Sequence, residues 1–224
     1  MKEMFKNTLV LFVITLIAGI SLSLVYSVTK EPIREQEEAK KQKAYQTVFA
    51  DAEHFVEEEN FDPEAATALL HRANKGEFEN DEIQMLAAAV NESGETIGNV
   101  ITVTTHAGFG GDITFAMGVR SDGTLTGVSI TAISETPGLG MRASEVLSPQ
   151  FTDKPTETRF VVTKAGSAYP FEIDAISSAT ITSNALTDAV NAGVAFLQAW
   201  ENQTAEPEMQ GGVELDLEGG ADYE

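Results

Sequence analysis

Two segments of the 224-residue chain combine side chains that suit ligand binding with residues that are typical of turns or helix starts. The first, residues 174–183 (DAISSATITS), has five hydroxyl side chains after Asp174 and precedes a stretch of helical periodicity. Unpaired N–H groups at a helix N-terminus favour an anion such as phosphate. Capping of the helix by Thr182 or Ser183 would need only one of these hydroxyls. The residue types alone leave both interpretations open, an anion site or an ordinary helix cap.

The second segment, residues 134–140 (SETPGLG), directly follows a predicted strand. Pro137 and Gly138 fix a turn, and Gly140 permits a further unusual backbone angle. Leu139 would project from this loop with little around it to bury its side chain. The segment is therefore either a plain connection or a loop that contacts a ligand.

Composition excludes several other chemistries. The chain has no cysteine, which rules out disulfides, thiolate nucleophiles, Cys-ligated zinc, iron–sulfur clusters and thioether-attached haem. The three histidines, His54, His71 and His106, lack metal-ligand spacing, and no Ser/His/Asp arrangement is evident. With 35 acidic against 14 basic residues, a net charge of −21 argues against nucleic-acid binding. We therefore predict no metal site and no catalytic residue in this chain.

Residues 1–28 are predicted to form an N-terminal membrane anchor. Residues 9–28 carry no charge, and 20 residues of helix span about 30 Å, the thickness of a bilayer core. A cleaved signal peptide is the alternative, although its apolar region is usually shorter. Lys2 and Lys6 favour a cytoplasmic N-terminus, whereas five basic residues within 30–43 oppose it. Because long domains translocate largely regardless of nearby charge, we expect the bulk of the chain outside the cytoplasm.

Two further regions are predicted to support or follow the main domain. Residues 29–94 should form a helical stalk and linker, with Pro32 opening one helix, a second helix following Asp62, and a third over 80–90. Residues 201–224 contain eight acidic and no basic residues and lack periodicity. This composition is typical of a flexible, solvated tail.

Residues 95–200 are predicted to form an α+β domain. Runs rich in Val, Ile and Thr predict strands over 97–105, 113–119 and 125–133, and a fourth run covers 160–164. Asp122 and Gly123 supply a hairpin turn, and residues 106–111 contain three glycines. Apolar residues at helical spacing predict a last helix over 182–198. We expect an antiparallel sheet with helices packed on one side.

These residues resemble a known family. DAISSATITS resembles the Asp-x-x-Ser-Gly-Ala-Thr flavinylation motif of FMN-binding domains, in which the last Thr is esterified to the phosphate of FMN. SETPGLG matches the second signature of the same group. With the single N-terminal span, the chain resembles the G subunit of the Rnf (Rsx) electron-transport complex and, next, the C subunit of the sodium-pumping NADH:quinone reductase. It departs from the motif at Ser178, which occupies the usual glycine position.

The resemblance implies a membrane-anchored flavoprotein subunit of an ion-translocating ferredoxin:NAD⁺ oxidoreductase. Its cofactor would be FMN, held covalently through a phosphoester to Thr180. The recognition loop would comprise Asp174, Ser177, Ser178 and Ala179, and the residues lining the flavin would be Glu135, Thr136, Pro137, Gly138, Leu139 and Gly140. Asp174 is also a candidate for recognition by the separate flavin transferase that installs FMN.

The resemblance also implies partners. One membrane span cannot form an ion channel, so the other subunits of the complex would translocate ions and this chain would be an electron-transfer subunit rather than a complete enzyme. Three alternatives stay open: a component like the C subunit of the quinone reductase, another anchored extracytoplasmic flavoprotein, and a non-enzymatic anchored binding module in which Thr180 is only part of a helix cap.

Overall fold

The computed structural model of the protein describes residues 1–205, which divide into two units that meet between Ala44 and Tyr45. The first unit consists of one helix, α1 (Lys2–Val48), which runs on into the second unit. Its most apolar window has a mean hydropathy of 2.6, and its length and composition would allow it to cross a membrane. Pro32 was predicted to open a new helix, but it lies inside α1. The Glu, Lys, Gln and Ala residues that follow are strong helix formers, which offsets the hydrogen bond that proline removes.

The second unit is built on a six-stranded antiparallel sheet whose strands follow chain order. The strands are β1 (His54–Glu57), β2 (Asp81–Val90), β3 (Thr96–Thr105), β4 (Ile113–Arg120), β5 (Thr124–Ile133) and β6 (Lys154–Pro155). The predicted strands over 97–105, 113–119 and 125–133 are therefore confirmed. The α+β fold with an antiparallel sheet and an N-terminal apolar helix is confirmed as well.

The helix predicted over 80–90 was wrong, because this segment is β2. It pairs with β1 on one side and β3 on the other, for example Ala87 with Val100. Its apolar run is buried on both faces of the sheet, which is a pattern that periodicity cannot separate from a helix. Residues 29–94 are therefore not a helical stalk and linker throughout. Within this region the predicted second helix is confirmed as α2 (Pro63–Ala73), capped by Asp62, whose side chain accepts from the N–H of Glu64 at 3.0 Å.

Helical segments cover both faces of the sheet, not one as predicted. The last helix, α4 (Thr180–Ala205), packs on one face, where Gly193 lies directly against Met117. The segment that begins at Tyr45 covers the other face, where Phe49 packs against the bare backbone of Gly98 and Gly118. A side chain on either of these two glycines would collide with Phe49, which explains glycine inside two central strands.

The remaining elements connect the sheet to α4. A short helix, α3 (Ala143–Val146), lies between two 3₁₀ turns, Gly140–Arg142 and Ser148–Phe151. The strand predicted over 160–164 is shorter, β7 (Val161–Thr163), and pairs in parallel with β8 (Glu172–Asp174) in a separate two-stranded sheet. Residues 201–205 continue α4, and the rest of the predicted acidic tail lies outside the described residues.

Candidate functional site

A cavity of about 370 Å³ brings together the two segments singled out in the sequence. Its wall is built by three stretches of chain: Phe109 from the loop after β3, then Glu135, Thr136, Leu139 and Gly140 from the loop after β5, and finally Ser178, Ala179, Thr180, Ile181 and Thr182 at the start of α4. This volume lies in the usual range of small-molecule clefts, roughly 300–1,000 Å³. The cavity is therefore the candidate site.

Thr180 is the first residue of α4, two positions earlier than the sequence predicted. The hydroxyl of Ser183 donates to the carbonyl of Ala179 at 2.9 Å and accepts from the N–H of Ile176 at 3.0 Å. Ser183 therefore links the preceding loop to the first turn of α4 and does not cap that turn. Ala179, which precedes the helix, has no polar side chain, so among the described residues the first-turn N–H groups remain available at the cavity wall.

Ser178 adopts a left-handed backbone conformation, with φ of 67°. Only glycine adopts this conformation without steric cost, which gives a physical reason for glycine at this position of the motif. The serine side chain is exposed, so its bulk meets solvent instead of the loop. The departure from the motif therefore places a serine at a backbone conformation that favours glycine.

We expect Ser178→Gly to keep the fold and to raise the free energy of unfolding by up to about 1.5 kcal/mol. Relief of left-handed strain, about 1–2 kcal/mol, exceeds the entropic cost of glycine, about 0.5–1 kcal/mol. Thermal unfolding of the two proteins measures the difference, with Ser177→Gly as a control at the neighbouring exposed serine. A less stable Ser178→Gly protein would contradict the strain argument.

Glu135 connects the cavity to the loop after β3. Its buried carboxylate accepts hydrogen bonds from the N–H groups of Phe109, at 2.7 Å, and Gly110, at 3.2 Å. A Cβ atom built on Gly140 would lie 2.7 Å from both Glu135 Oε2 and Thr182 Oγ1. Gly140 is thus the point where the loop after β5 touches the first turn of α4, and only glycine fits there.

Four of the predicted site residues lie outside the cavity wall. Pro137, Gly138 and Ser177 are exposed on the surface of their loops. Asp174 ends β8, and its Oδ2 accepts from the hydroxyl of Ser167 at 3.2 Å. The other seven predicted residues line the cavity, and the role of all eleven in cofactor binding stays a prediction.

Sequence reasoning missed Phe109 and Ile181 as wall residues and gave Thr182 only a capping role. Phe109 stands between glycines in residues 106–111, and a lone aromatic residue in a glycine-rich loop was the available signal. At the base of this loop, His106 Nδ1 lies 2.8 Å from Asp112 Oδ1, and Nε2 lies 3.3 Å from Glu82 Oε1. The hydrogen bond with Asp112 raises the pKa of His106, and Glu82 adds to the effect.

Comparisons with known proteins match two regions of the chain. Residues 108–195 match the FMN-binding domain family, and residues 1–48 match the RnfG N-terminal region. FMN is therefore confirmed as the cofactor class of the domain that holds the cavity. The solved structure of NqrC from Shewanella oneidensis superimposes with a TM-score of 0.50 at 18% identity, covering 72% of this chain and 88% of that chain, which supports the fold.

Curated relatives extend over nearly the whole chain. The G subunit of the Na⁺-translocating ferredoxin:NAD⁺ oxidoreductase complex of Acetobacterium woodii is 35% identical over 202 residues, or 88% of this chain and 93% of the relative. The G subunit of the ion-translocating oxidoreductase complex of Methanosarcina acetivorans is 27% identical over 202 residues, or 89% of this chain and 97% of the relative. The chain belongs to the family of G subunits of Rnf-type ion-translocating oxidoreductase complexes.

Proposed function

We propose that this subunit carries electrons through FMN bound covalently to Thr180 by a phosphoester, within a membrane complex that exchanges electrons between ferredoxin and NAD⁺ and moves ions. The observation that carries the proposal is the position of Thr180, at the first residue of α4 in the wall of the cavity where both sequence signatures meet.

The residues of the cavity fit FMN. Thr180 is partly exposed and offers a hydroxyl for the ester, and the adjacent first-turn N–H groups suit a phosphate. Leu139 and Ile181 are 39% and 53% exposed and give the wall an apolar surface for a flat ring system. When bound, FMN supplies the reversible electron chemistry.

The residues of the protein bind the FMN, orient it and shield it from water. An ester at the first residue of a helix fixes the phosphate end of the cofactor and makes a deep nucleotide pocket unnecessary. Apolar side chains around the ring lower the local dielectric constant and limit water, which tunes the redox potential. Because Glu135 already accepts from two backbone N–H groups, its carboxylate holds the wall in place while facing the cavity.

The exposed part of the flavinylation loop suits recognition by a flavin transferase. Ser177 is exposed, and Asp174 lies outside the cavity wall, where its carboxylate accepts a hydrogen bond from the exposed Ser167. These groups would be free to contact the transferase while Thr180 receives the flavin nucleotide. Helix α1 would anchor the subunit, with the flavin domain on the extracytoplasmic side, and the other subunits of the complex would form the path for ions.

Peptide mass spectrometry of the protein from its natural host tests the proposal. No Lys or Arg lies within residues 165–224, so a tryptic fragment that contains Thr180 would cover at least these residues, whereas cleavage after glutamate releases residues 173–201. We expect this fragment to carry the mass of FMN less one water, with fragment ions placing it on Thr180. An unmodified fragment from host membranes that contain the assembled complex would contradict the covalent linkage.

A further inference from the structure

Phe109 is an aromatic side chain that stands 67% exposed at the wall of the cavity. Clefts that bind small molecules are lined mainly by apolar and aromatic side chains, and a ligand in this cavity would cover the exposed ring. Neither flavin signature includes this residue, which lies 26 positions before Glu135. The ring can contact a ligand in the cavity if the backbone holds it at the cavity wall.

The backbone around Phe109 is fixed by a carboxylate. The N–H of Phe109 donates to Glu135 Oε1 at 2.7 Å, and the N–H of Gly110 donates to Oε2 at 3.2 Å. Glu135 is only 8% exposed, so these charge-assisted hydrogen bonds are shielded from competing water. The loop that presents the ring is therefore tied to the loop that carries the second flavin signature.

Close packing leaves no room for a side chain at Gly108 or Gly110. A Cβ atom on Gly108 would lie 2.1 Å from the carbonyl oxygen of Gly111, and one on Gly110 would lie 2.7 Å from that of Ser134. At the end of the loop, the carbonyl of Asp112 accepts from the N–H of Ser134 at 2.9 Å. The backbone is thus held on both sides of Phe109 while its side chain stays uncovered.

We infer that Phe109 is a cofactor-contacting residue whose ring packs against the isoalloxazine of the FMN and shields it from water, an inference that rests on the proposed function. The ring shares the cavity wall with Leu139 and Ile181, so an isoalloxazine in this cavity meets apolar surface from three separate segments. Aromatic rings gain from offset or edge contacts beyond the area they bury. Because the loop is already ordered, this contact costs little conformational entropy.

Replacement of Phe109 by tryptophan gives a direct readout of ring contact. Tryptophan in van der Waals contact with a flavin quenches its fluorescence by electron transfer, whereas phenylalanine does not. In full-length protein loaded with FMN, we expect the native flavin emission of Phe109→Trp to fall several-fold at equal flavin content. Flavin content is measured separately from the emission after denaturation, where the contact is lost.

Val56→Trp is the matched control. Val56 is 51% exposed on β1 and lies outside the cavity wall, so the same substitution there should leave native emission unchanged. Equal native emission of Phe109→Trp and wild type, both loaded, would overturn the inference while leaving the proposed function intact. A wild-type protein that carries no flavin at Thr180 would instead overturn the proposed function.

Phe109→Ala tests the shielding separately. Removal of a stacking partner should raise the rate at which iodide quenches the flavin by at least about twofold. The energy of an aromatic contact corresponds to about a two- to tenfold change in the ratio of covered to uncovered flavin. Phe109→Leu keeps apolar cover and should fall between wild type and the alanine variant. Iodide quenching that is identical in all three loaded proteins would contradict shielding. Loss of loading in every Phe109 variant would also overturn the inference, because the ring would then serve attachment or folding.

Discussion

Thr180→Val should abolish covalent flavin completely and leave the fold intact. Valine has the shape of threonine and accepts the same position in the first turn of a helix, but it has no oxygen to form the ester. No hydrogen bond of the Thr180 hydroxyl is present within residues 1–205, and the side chain is only partly buried, so we expect a stability change within about 1 kcal/mol. Co-expression with a flavin transferase, followed by flavin fluorescence in a denaturing gel, measures the loss.

Two neighbouring hydroxyls serve as controls for Thr180. Thr182→Val removes a buried hydroxyl two residues further along the same wall and should keep the fluorescent band. Thr180→Ser retains an oxygen at the same point and should keep at least part of the band. A fluorescent band that persists in Thr180→Val would contradict the assignment of Thr180 as the residue that carries FMN. Equal loss in the Thr180 and Thr182 valine variants would show that the substitutions damage the loop and do not identify the acceptor.

The sequence located the two segments of the site but not the way they meet. Local chemistry left residues 174–183 divided between a helix cap and an anion site, and the resemblance favoured the second. The hydrogen bonds of Ser183 show that this residue is not the cap, because its hydroxyl binds the N–H of Ile176, which lies before the helix. The hydrogen bond between Ile176 and Ser183 requires a turn just before α4, and the spacing of residues in the sequence does not specify that turn.

The link between Glu135 and Phe109 could not be predicted from either segment. It joins residues 26 positions apart through a side chain and a backbone N–H, and it exists only because β4 and β5 return the chain to the end of β3. Acidic residues in loops are usually solvated, so residue type gave no sign of burial. The buried carboxylate is a product of sheet topology.

Strand β2 shows the same limit at the level of the fold. Ile83, Leu86 and Val90 follow helical spacing, and Asn80 with Asp81 offers a cap in front of them. In the structure both neighbouring strands pair with this segment and bury it on both faces. Tertiary pairing outweighs local periodicity when a run is apolar enough to be covered from both sides.

Asp81→Asn should stabilise the protein at neutral pH and lose this effect in acid. Asp81 opens β2, is 4% exposed, and within residues 1–205 its Oδ1 has no hydrogen-bond partner. Burial raises the pKa of Asp81 to about 6, against an opposing hydrogen bond from Thr105. The negative charge of Asp188 raises it further, and His71 and His106 lower it. The charged form of Asp81 is therefore disfavoured in the folded state.

The sign of the pH dependence follows from linkage. Because the folded pKa of Asp81 exceeds the unfolded value of 3.8, its contribution to stability is fully present below about pH 4 and is lost as pH rises through about 6. A shift of this size corresponds to at most about 3 kcal/mol at pH 7.5. Asparagine keeps the size and a polar group toward Thr105 but carries no charge. The gain in stability of Asp81→Asn should therefore grow between pH 4 and pH 7.

Thermal unfolding of the full-length protein in detergent across this pH range tests the prediction. Asp122→Asn is the control, because its effect on stability should have the opposite sign. Asp122 lies in the exposed turn between β4 and β5, where hydrogen bonding with Thr124 lowers the pKa of its carboxyl. Asp122→Asn should therefore lower stability throughout the range from pH 4 to pH 7, and this loss should fade only as the pH falls below the ordinary pKa of 3.8. Parallel pH profiles of wild type and Asp81→Asn would show that Asp81 is not protonated by burial. Divergent profiles would identify it as a group whose ionisation destabilises the strand next to the Phe109 loop.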